Sequence, residues 1–320
     1  FWENEFQTQL RNLMIQAQTV YLNTNEHLRA ADTVETPDRR LIRWCQQCFP
    51  LHDYRRAAPI LHQLRALKSP LEIERIRRAC RITEKAFRRV LEFIRPGVWE
   101  FEIEAELVHE FLRNRSRRPA FEPIVASGVD TCVLHYVKND KQCRDGDLVL
   151  MDFGAEYANY AADVTRTVPV NGRYSERQRQ LYDAVRRIQQ EAISMLVPGN
   201  TLKAYHVEVG RRVETELVGL GLLGAKAIET QNPDDPLYKR YFMHGTSHHL
   251  GLNVHDYGHG HAPFEAGMVF TCEPGIYIPD EGLGVRLEND ILITVQGPED
   301  LTAALPLDPG EIEALMHRTA

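Results

Sequence analysis

With 320 residues, 43% hydrophobic and 26% charged, the chain has the composition of an ordinary globular protein and the length for roughly two domains of about 100–200 residues each. A net charge of −7, with no basic stretch beyond the arginines of helix faces, argues against a nucleic-acid partner, and no apolar run approaches the ~20 residues of a membrane span. No charged-then-apolar leader opens the sequence and the six cysteines are spaced too irregularly for a disulfide framework, so a cytoplasmic protein is expected.

Residues 1–62 begin with a helical pattern that Pro37, Pro50 and Pro59 later break up. Cys45-x-x-Cys48 is a lone CxxC with no second pair, which disfavours a zinc or redox site. This stretch reads as part of a small domain or a linker, and the sequence opens on Phe1 rather than Met, as a fragment or a processed product would. Ser69-Pro70-Leu71-Glu72 then offers an N-cap, a proline for the first helical position and a glutamate for a capping box. The helix it predicts carries Ile76, Cys80, Phe87, Val90, Leu91 and Ile94 at three- and four-residue steps and ends at Pro96-Gly97. Arg75, Arg77, Arg78 and Arg81 belong to its solvated face.

Ser175-x-x-Gln178 starts a similar helix through Leu181, Val185, Ile188, Ala192 and Met195, which stops at Pro198-Gly199. In each half a glycine then precedes a short apolar strand and, six residues on, an acid: Gly146 to Asp152 and Gly267 to Glu273. The halves therefore look like two copies of one unit, helices first and sheet after. Each acid has a companion on what reads as the next strand, Asp163 at a separation of 11 and Glu288 at 15. Odd separations in a simple antiparallel hairpin put two residues directly opposite on one face, which predicts two carboxylate pairs in a partly buried setting. Unpaired like charges there cost several kcal/mol each, so positive charge has to compensate.

Between the second pair and the preceding helix lie His244, His248, His249, His255, His259 and His261, six of the thirteen histidines. A lone histidine is most often structural, but a cluster beside paired acids is a candidate metal or catalytic site. His244-Gly-Thr-Ser-His248 has the spacing of a zincin helix, yet it lacks the glutamate and is built from poor helix formers. Four carboxylates with one imidazole suit instead two divalent ions sharing bridging carboxylates. That is a hydrolase's arrangement.

The segments Asp152-Phe-Gly-Ala-Glu-Tyr, Ala-Asp163-Val-Thr-Arg-Thr, His244-Gly-Thr-Ser-His248-His-Leu-Gly-Leu-Asn-Val-His255-Asp, Glu273-Pro-Gly-Ile-Tyr and Arg286-Leu-Glu288-Asn resemble the signature of the pita-bread metallopeptidases, in particular the aminopeptidase P group, over residues 64–310. The resemblance implies an α+β pita-bread fold with an internal pseudo-twofold repeat as the catalytic domain, residues 63–320, preceded by residues 1–62 as the remnant of a smaller N-terminal domain with its linker. It implies that Asp152 chelates one metal, that Asp163 and Glu288 bridge both, and that His248 and Glu273 complete the site around a bridging hydroxide. Mn2+ is the ion it favours, with Co2+, Zn2+ or Fe2+ also fitting the donors. Glu273 is the candidate proton shuttle; His135 matches a histidine near the substrate; His244 and His255 match those that steady the substrate and its developing oxyanion; Arg286 orients an acid or a substrate carbonyl. His249, His259 and His261 have no such role and are read as surface or rim residues. The implied reaction is cleavage of an N-terminal Xaa-Pro bond in a peptide with proline second, by a homo-oligomer. The alternatives are a prolidase, whose sequences tend to have glycine where Ser247 stands, and a non-catalytic binding module on the same fold; the five filled ligand positions argue against the latter.

Overall fold

The computed structural model describes residues 5–26, 34–258 and 262–317. Contacts divide the chain into two units, Phe1–Arg65 and Ala66–Ala320. In the first, α1 (Phe6–Gln16), β1 (Thr19–Leu22), α2 (Pro37–Cys48), β2 (Asp53–Arg56) and the start of α3 (Ala58–Ala66) surround a parallel β1–β2 pair, Thr19 facing Asp53. Thr36 caps α2 and Pro37 opens it. Cys45 is buried and Cys48 exposed, both as free thiols.

The second unit runs α4 (Pro70–Phe93), α5 (Glu100–Arg113), β3 (Ile124–Ser127), β4 (Leu148–Phe153), β5 (Glu156–Tyr157), β6 (Tyr160–Ala161) and β7 (Val164–Pro169). It then repeats with α6 (Glu176–Ser194), α7 (Leu202–Gly219), the short α8 (Ala225–Glu229), β8 (Val269–Cys272), β9 (Gly275–Ile278), β10 (Leu283–Arg286), β11 (Asn289–Thr294), β12 (Gly297–Asp300) and α9 (Pro309–Met316). Both anticipated capping boxes form, Ser69 with Glu72 and Ser175 with Gln178. Each satisfies two N-terminal donors that the first helical turn cannot. Three-stranded antiparallel sheets follow each helix pair, in the orders β3-β4-β7 and β12-β11-β8.

The repeat reaches individual hydrogen bonds. Gly97 donates to Cys143 O at 2.9 Å and Cys143 donates back to Val98 O at 2.8 Å; Gly199 donates to Phe264 O at 2.9 Å and Phe264 back to Asn200 O at 2.7 Å. Cys143 and Phe264 each stand three residues before the glycine that starts the acid-bearing strand, Gly146 with φ 84° and Gly267 with φ 97°. Two unrelated segments would not share this latch, its spacing and its turn, so the structure carries the internal duplication that the glycine-to-acid spacing suggested.

Alternation along the strands decides what faces the site. In β4, Val149, Met151 and Phe153 enter the main core with Phe87, Val90, Leu107 and Phe111 of the helices. Leu150, and with it Asp152 at period two, turns to the other face, where Leu150 packs with Ile124 and Tyr277. In β7, Val164 and Val168 take the core side, which leaves Asp163, Thr165 and Thr167 on the opposite face.

One expectation about pairing needs correction. Asp152 is registered with Thr165 and Phe153 with Val164, so Asp163 stands beyond the last pair, not directly opposite Asp152. The cause is the β5–β6 hairpin between the two strands, whose tip residues Ala158 and Asn159 have φ of 51° and 72°. It shifts the return strand by two residues, which preserves the face and makes the two acids diagonal neighbours. In the second pair Cys272 is the last residue registered with Asn289, so Glu273 and Glu288 each stand one residue outside the paired strands β8 and β11.

Candidate metal centre

Four strand ends and one loop converge on a single pocket. Asp163 and Glu288 are buried at 4% and 2% exposure. Asp163, His248 and Glu288 place ligand atoms within 4.8 Å of one another. His248 Nε2 lies 3.4 Å from Asp163 Oδ2 and 3.5 Å from Glu273 Oε1. Its Nδ1 is 3.0 Å from the His249 carbonyl, which can only accept, so Nδ1 donates there and Nε2 is the ring nitrogen that faces the acids. The loop holding it is non-helical and pinned by backbone bonds from Thr271 to His248 O and from Glu273 to Thr246 O.

Asp152 enters differently, through Arg286, whose Nη2 donates to Asp152 Oδ2 at 2.8 Å; Asp152 Oδ1 is buried without a hydrogen-bond partner. Arg286 Nη1 also donates to the Tyr277 hydroxyl at 3.0 Å. Burial works against the Arg286 charge, but Tyr277, Asp152 and Glu288 together hold its pKa above the ordinary arginine value. Arg286 is thus in contact with both an acid and a tyrosine of the pocket.

Burial first, then repulsion from Glu288, Asp152, Asp290 and Glu273, pushes the Asp163 carboxyl well above the usual carboxylate range. Glu288 rises likewise, through burial and then through Glu273 and Asp152, against the lowering effect of Thr165 and Arg286. A pocket that gathers four carboxylates at this energetic cost is short of positive charge. The oxygen-rich donor set, the inward Nε2 of His248 and the orphaned Asp152 oxygen fit divalent cations.

His244 sits at the rim with its Nε2 2.8 Å from Tyr277 Oη and its Nδ1 2.8 Å from Gly245 O. Burial, then Arg286, lowers its pKa to about 3, so the ring is neutral: Nδ1 donates to Gly245 and Nε2 accepts from Tyr277. His255 packs edge-on against His248 at 4.2 Å between ring centroids. His135 is exposed on the loop after β3.

His249, expected at the surface, is instead 7% exposed, with its ring 4.1 Å from that of Phe270. An isolated bridge to Phe270 of β8 holds it there. His259 and His261 lie outside the described residues. Sequence reasoning missed Thr165, Tyr277 and Arg166. The Thr165 hydroxyl donates to Glu288 and accepts from Arg286, while fully buried Arg166 donates to the carbonyls of Thr165 and Glu288. Period two from Asp163 would have flagged Thr165; nothing local marks Arg166.

Fold and site together define a metallohydrolase of pita-bread architecture. Residues 74–295 match metallopeptidase family M24. An Xaa-Pro aminopeptidase of Escherichia coli is 41% identical over 98% of this chain and 74% of its own length, and one of Haemophilus influenzae 43% identical over 81% and 63%. A solved Escherichia coli aminopeptidase P in complex with substrate superposes with a TM-score of 0.86 at 38% identity, over 98% of this chain and 74% of that one. The chain belongs to metallopeptidase family M24 and is, by family, a metallo-aminopeptidase. Among the described residues no helix is long and apolar enough to cross a membrane.

Proposed function

We propose that the protein hydrolyses the N-terminal Xaa-Pro bond of peptides, releasing the first residue, at a dinuclear centre held by Asp152, Asp163, His248, Glu273 and Glu288. The observation that carries this reading is the meeting of His248 Nε2 with the carboxylates of Asp163 and Glu273 in a pocket that crowds four acids around it. Two divalent ions, Mn2+ by preference, would supply Lewis acidity and a water acidic enough to attack near neutral pH.

The chain's own groups do the rest. Glu273, between His248 and His244, holds the proton taken from the attacking water and passes it to the leaving proline nitrogen. His244 and His255, presented by one loop, steady the substrate carbonyl as negative charge develops, His244 by turning its Nδ1–H from Gly245 O to the substrate. Arg286 keeps Asp152 oriented, and exposed His135 meets the substrate at the rim. The names of the relatives favour this over a dipeptidase. A cytoplasmic, homo-oligomeric enzyme acting on peptides with proline second is part of the same proposal.

The deciding experiment is mass-spectrometric product analysis of the Mn2+-loaded protein given an Xaa-Pro-Xaa tripeptide and, separately, an Xaa-Pro dipeptide. Release of the first residue from the tripeptide alone is expected. Cleavage of the dipeptide alone would replace the reading with a prolidase.

A further inference from the structure

Outside the acid cluster, a second pair of charges is sealed in the protein. Lys68 Nζ and Asp256 Oδ2 lie 3.5 Å apart, and each side chain is only 1% exposed. Lys68 directly precedes the Ser69 cap of α4, and Asp256 directly follows His255. Burying both ions costs several kcal/mol each, and replacing such a pair with apolar groups is often neutral or stabilising. Stability alone is therefore a weak reason for this pair to exist, and its placement supplies another.

Both ends of the pair are fixed to elements that carry the site. Lys68 donates its backbone N–H to Gly267 O at 2.9 Å, at the start of the strand that delivers Glu273. Asp256 donates its backbone N–H to His249 O at 2.8 Å, which closes the loop from His248 to His255 on itself. Leu250 and Gly251 stitch that loop to the two sheets, Leu250 N–H to Val269 O at 3.0 Å and Ala161 N–H to Gly251 O at 2.9 Å. Gly251 leaves the room the pair needs: a Cβ there would come 2.1 Å from Asp256 Oδ2 and 3.0 Å from Lys68 Cε. The loop end carrying His255 is thus held by a charge at the foot of α4, and His255 in turn packs on His248.

We infer that the Lys68–Asp256 ion pair is a latch that positions His255 against the candidate metal centre. Lys68 and Asp256 are positioning residues; neither touches the reacting atoms. The inference rests on the proposed peptidase reading for its kinetic arm only. A side chain displaced by about an ångström can cost about 10²-fold in turnover, which sets the size of the effect expected.

The test uses the full chain loaded with Mn2+. Lys68→Met alone takes the lysine charge from beside a buried carboxylate and is expected to lower both Tm and kcat. The double variant K68M/D256N removes both charges: Tm is expected to return toward wild type while kcat stays down by about 10²-fold with KM little changed. Lys68→Arg keeps the charge and should retain most of kcat, which also covers the case of a double variant that folds poorly. Independently of activity, the His255 ring resonance in 13C-histidine-labelled protein, assigned with His255→Gln, is expected to shift and broaden in the double variant. A folded double variant with wild-type kcat and an unmoved His255 resonance would overturn the latch, as would a Lys68→Arg protein as slow as Lys68→Met. If the wild-type protein cleaves no Xaa-Pro tripeptide, the functional reading fails while the resonance still judges the latch.

Discussion

The Thr165 hydroxyl donates to Glu288 Oε2 at 2.6 Å and, at 3.1 Å, accepts from Arg286 Nε. One hydroxyl therefore orients the most deeply buried acid of the pocket and the arginine that holds Asp152. Thr165→Val keeps the shape and removes the donor, leaving two buried charged groups short of a bond at a cost of about 1–3 kcal/mol. We expect a loss of both Tm and metal affinity, with Thr165→Ser recovering most of each. Calorimetric titration with Mn2+ measures the second, and an unchanged affinity would remove Thr165 from the site.

Removing the metal should make stability depend on pH in a defined direction. Burial, above all, raises the Asp290 carboxyl from 3.8 to about 8, and Asp163 and Glu288 are raised in the same sense. A carboxyl with a raised folded pKa binds more protons folded than unfolded, so its contribution is present at low pH and is lost as pH rises. For Asp290 that window runs from about 4 to about 8. The EDTA-treated protein should therefore lose Tm across this range, and added Mn2+ should restore most at its upper end. A metal-induced gain in Tm that is flat with pH would contradict the charge argument.

The ligands and the flanking histidines should separate kinetically. His248→Ala and Asp163→Asn are expected to abolish turnover and lower metal stoichiometry while leaving most of the fold, since each removes a donor at the pocket and no core packing. His244→Ala and His255→Ala should keep their metal and lose about 10²–10³-fold in kcat. Because His244 is held neutral down to about 3, its removal should leave the acid limb of the pH profile in place. Metal analysis beside steady-state kinetics tells the two groups apart, and a His244 variant with full turnover would exclude that ring from the mechanism.

Gly154 follows β4 at the level of Asp163, and a Cβ on it would lie 1.7 Å from the Ala162 carbonyl oxygen. That contact is with backbone, so no side chain can move to relieve it. Gly154→Ala should cost several kcal/mol or prevent folding, through overpacking at the turn that delivers Asp163. A soluble variant with wild-type Tm would show that the β4–β7 connection tolerates a register change.

What the sequence determined by itself was local or periodic. The capping boxes Ser69/Glu72 and Ser175/Gln178 were legible because the reacting groups are three residues apart. The duplication showed in the matched steps from Gly146 to Asp152 and from Gly267 to Glu273, and the histidine cluster stood out by density alone. What the tertiary structure decided lay in register and burial. The two-residue shift between Asp152 and Asp163 came from a hairpin whose sequence, Tyr157-Ala-Asn-Tyr160, carries no strong strand pattern. His249 was misplaced because neighbouring histidines look alike in sequence, whereas only the fold brings Phe270 of β8 against one of them. Arg166 and the Lys68–Asp256 pair escaped because a charged residue in a sequence reads as solvated; only the folded chain brings the partners, more than a hundred residues away, that make burying them possible.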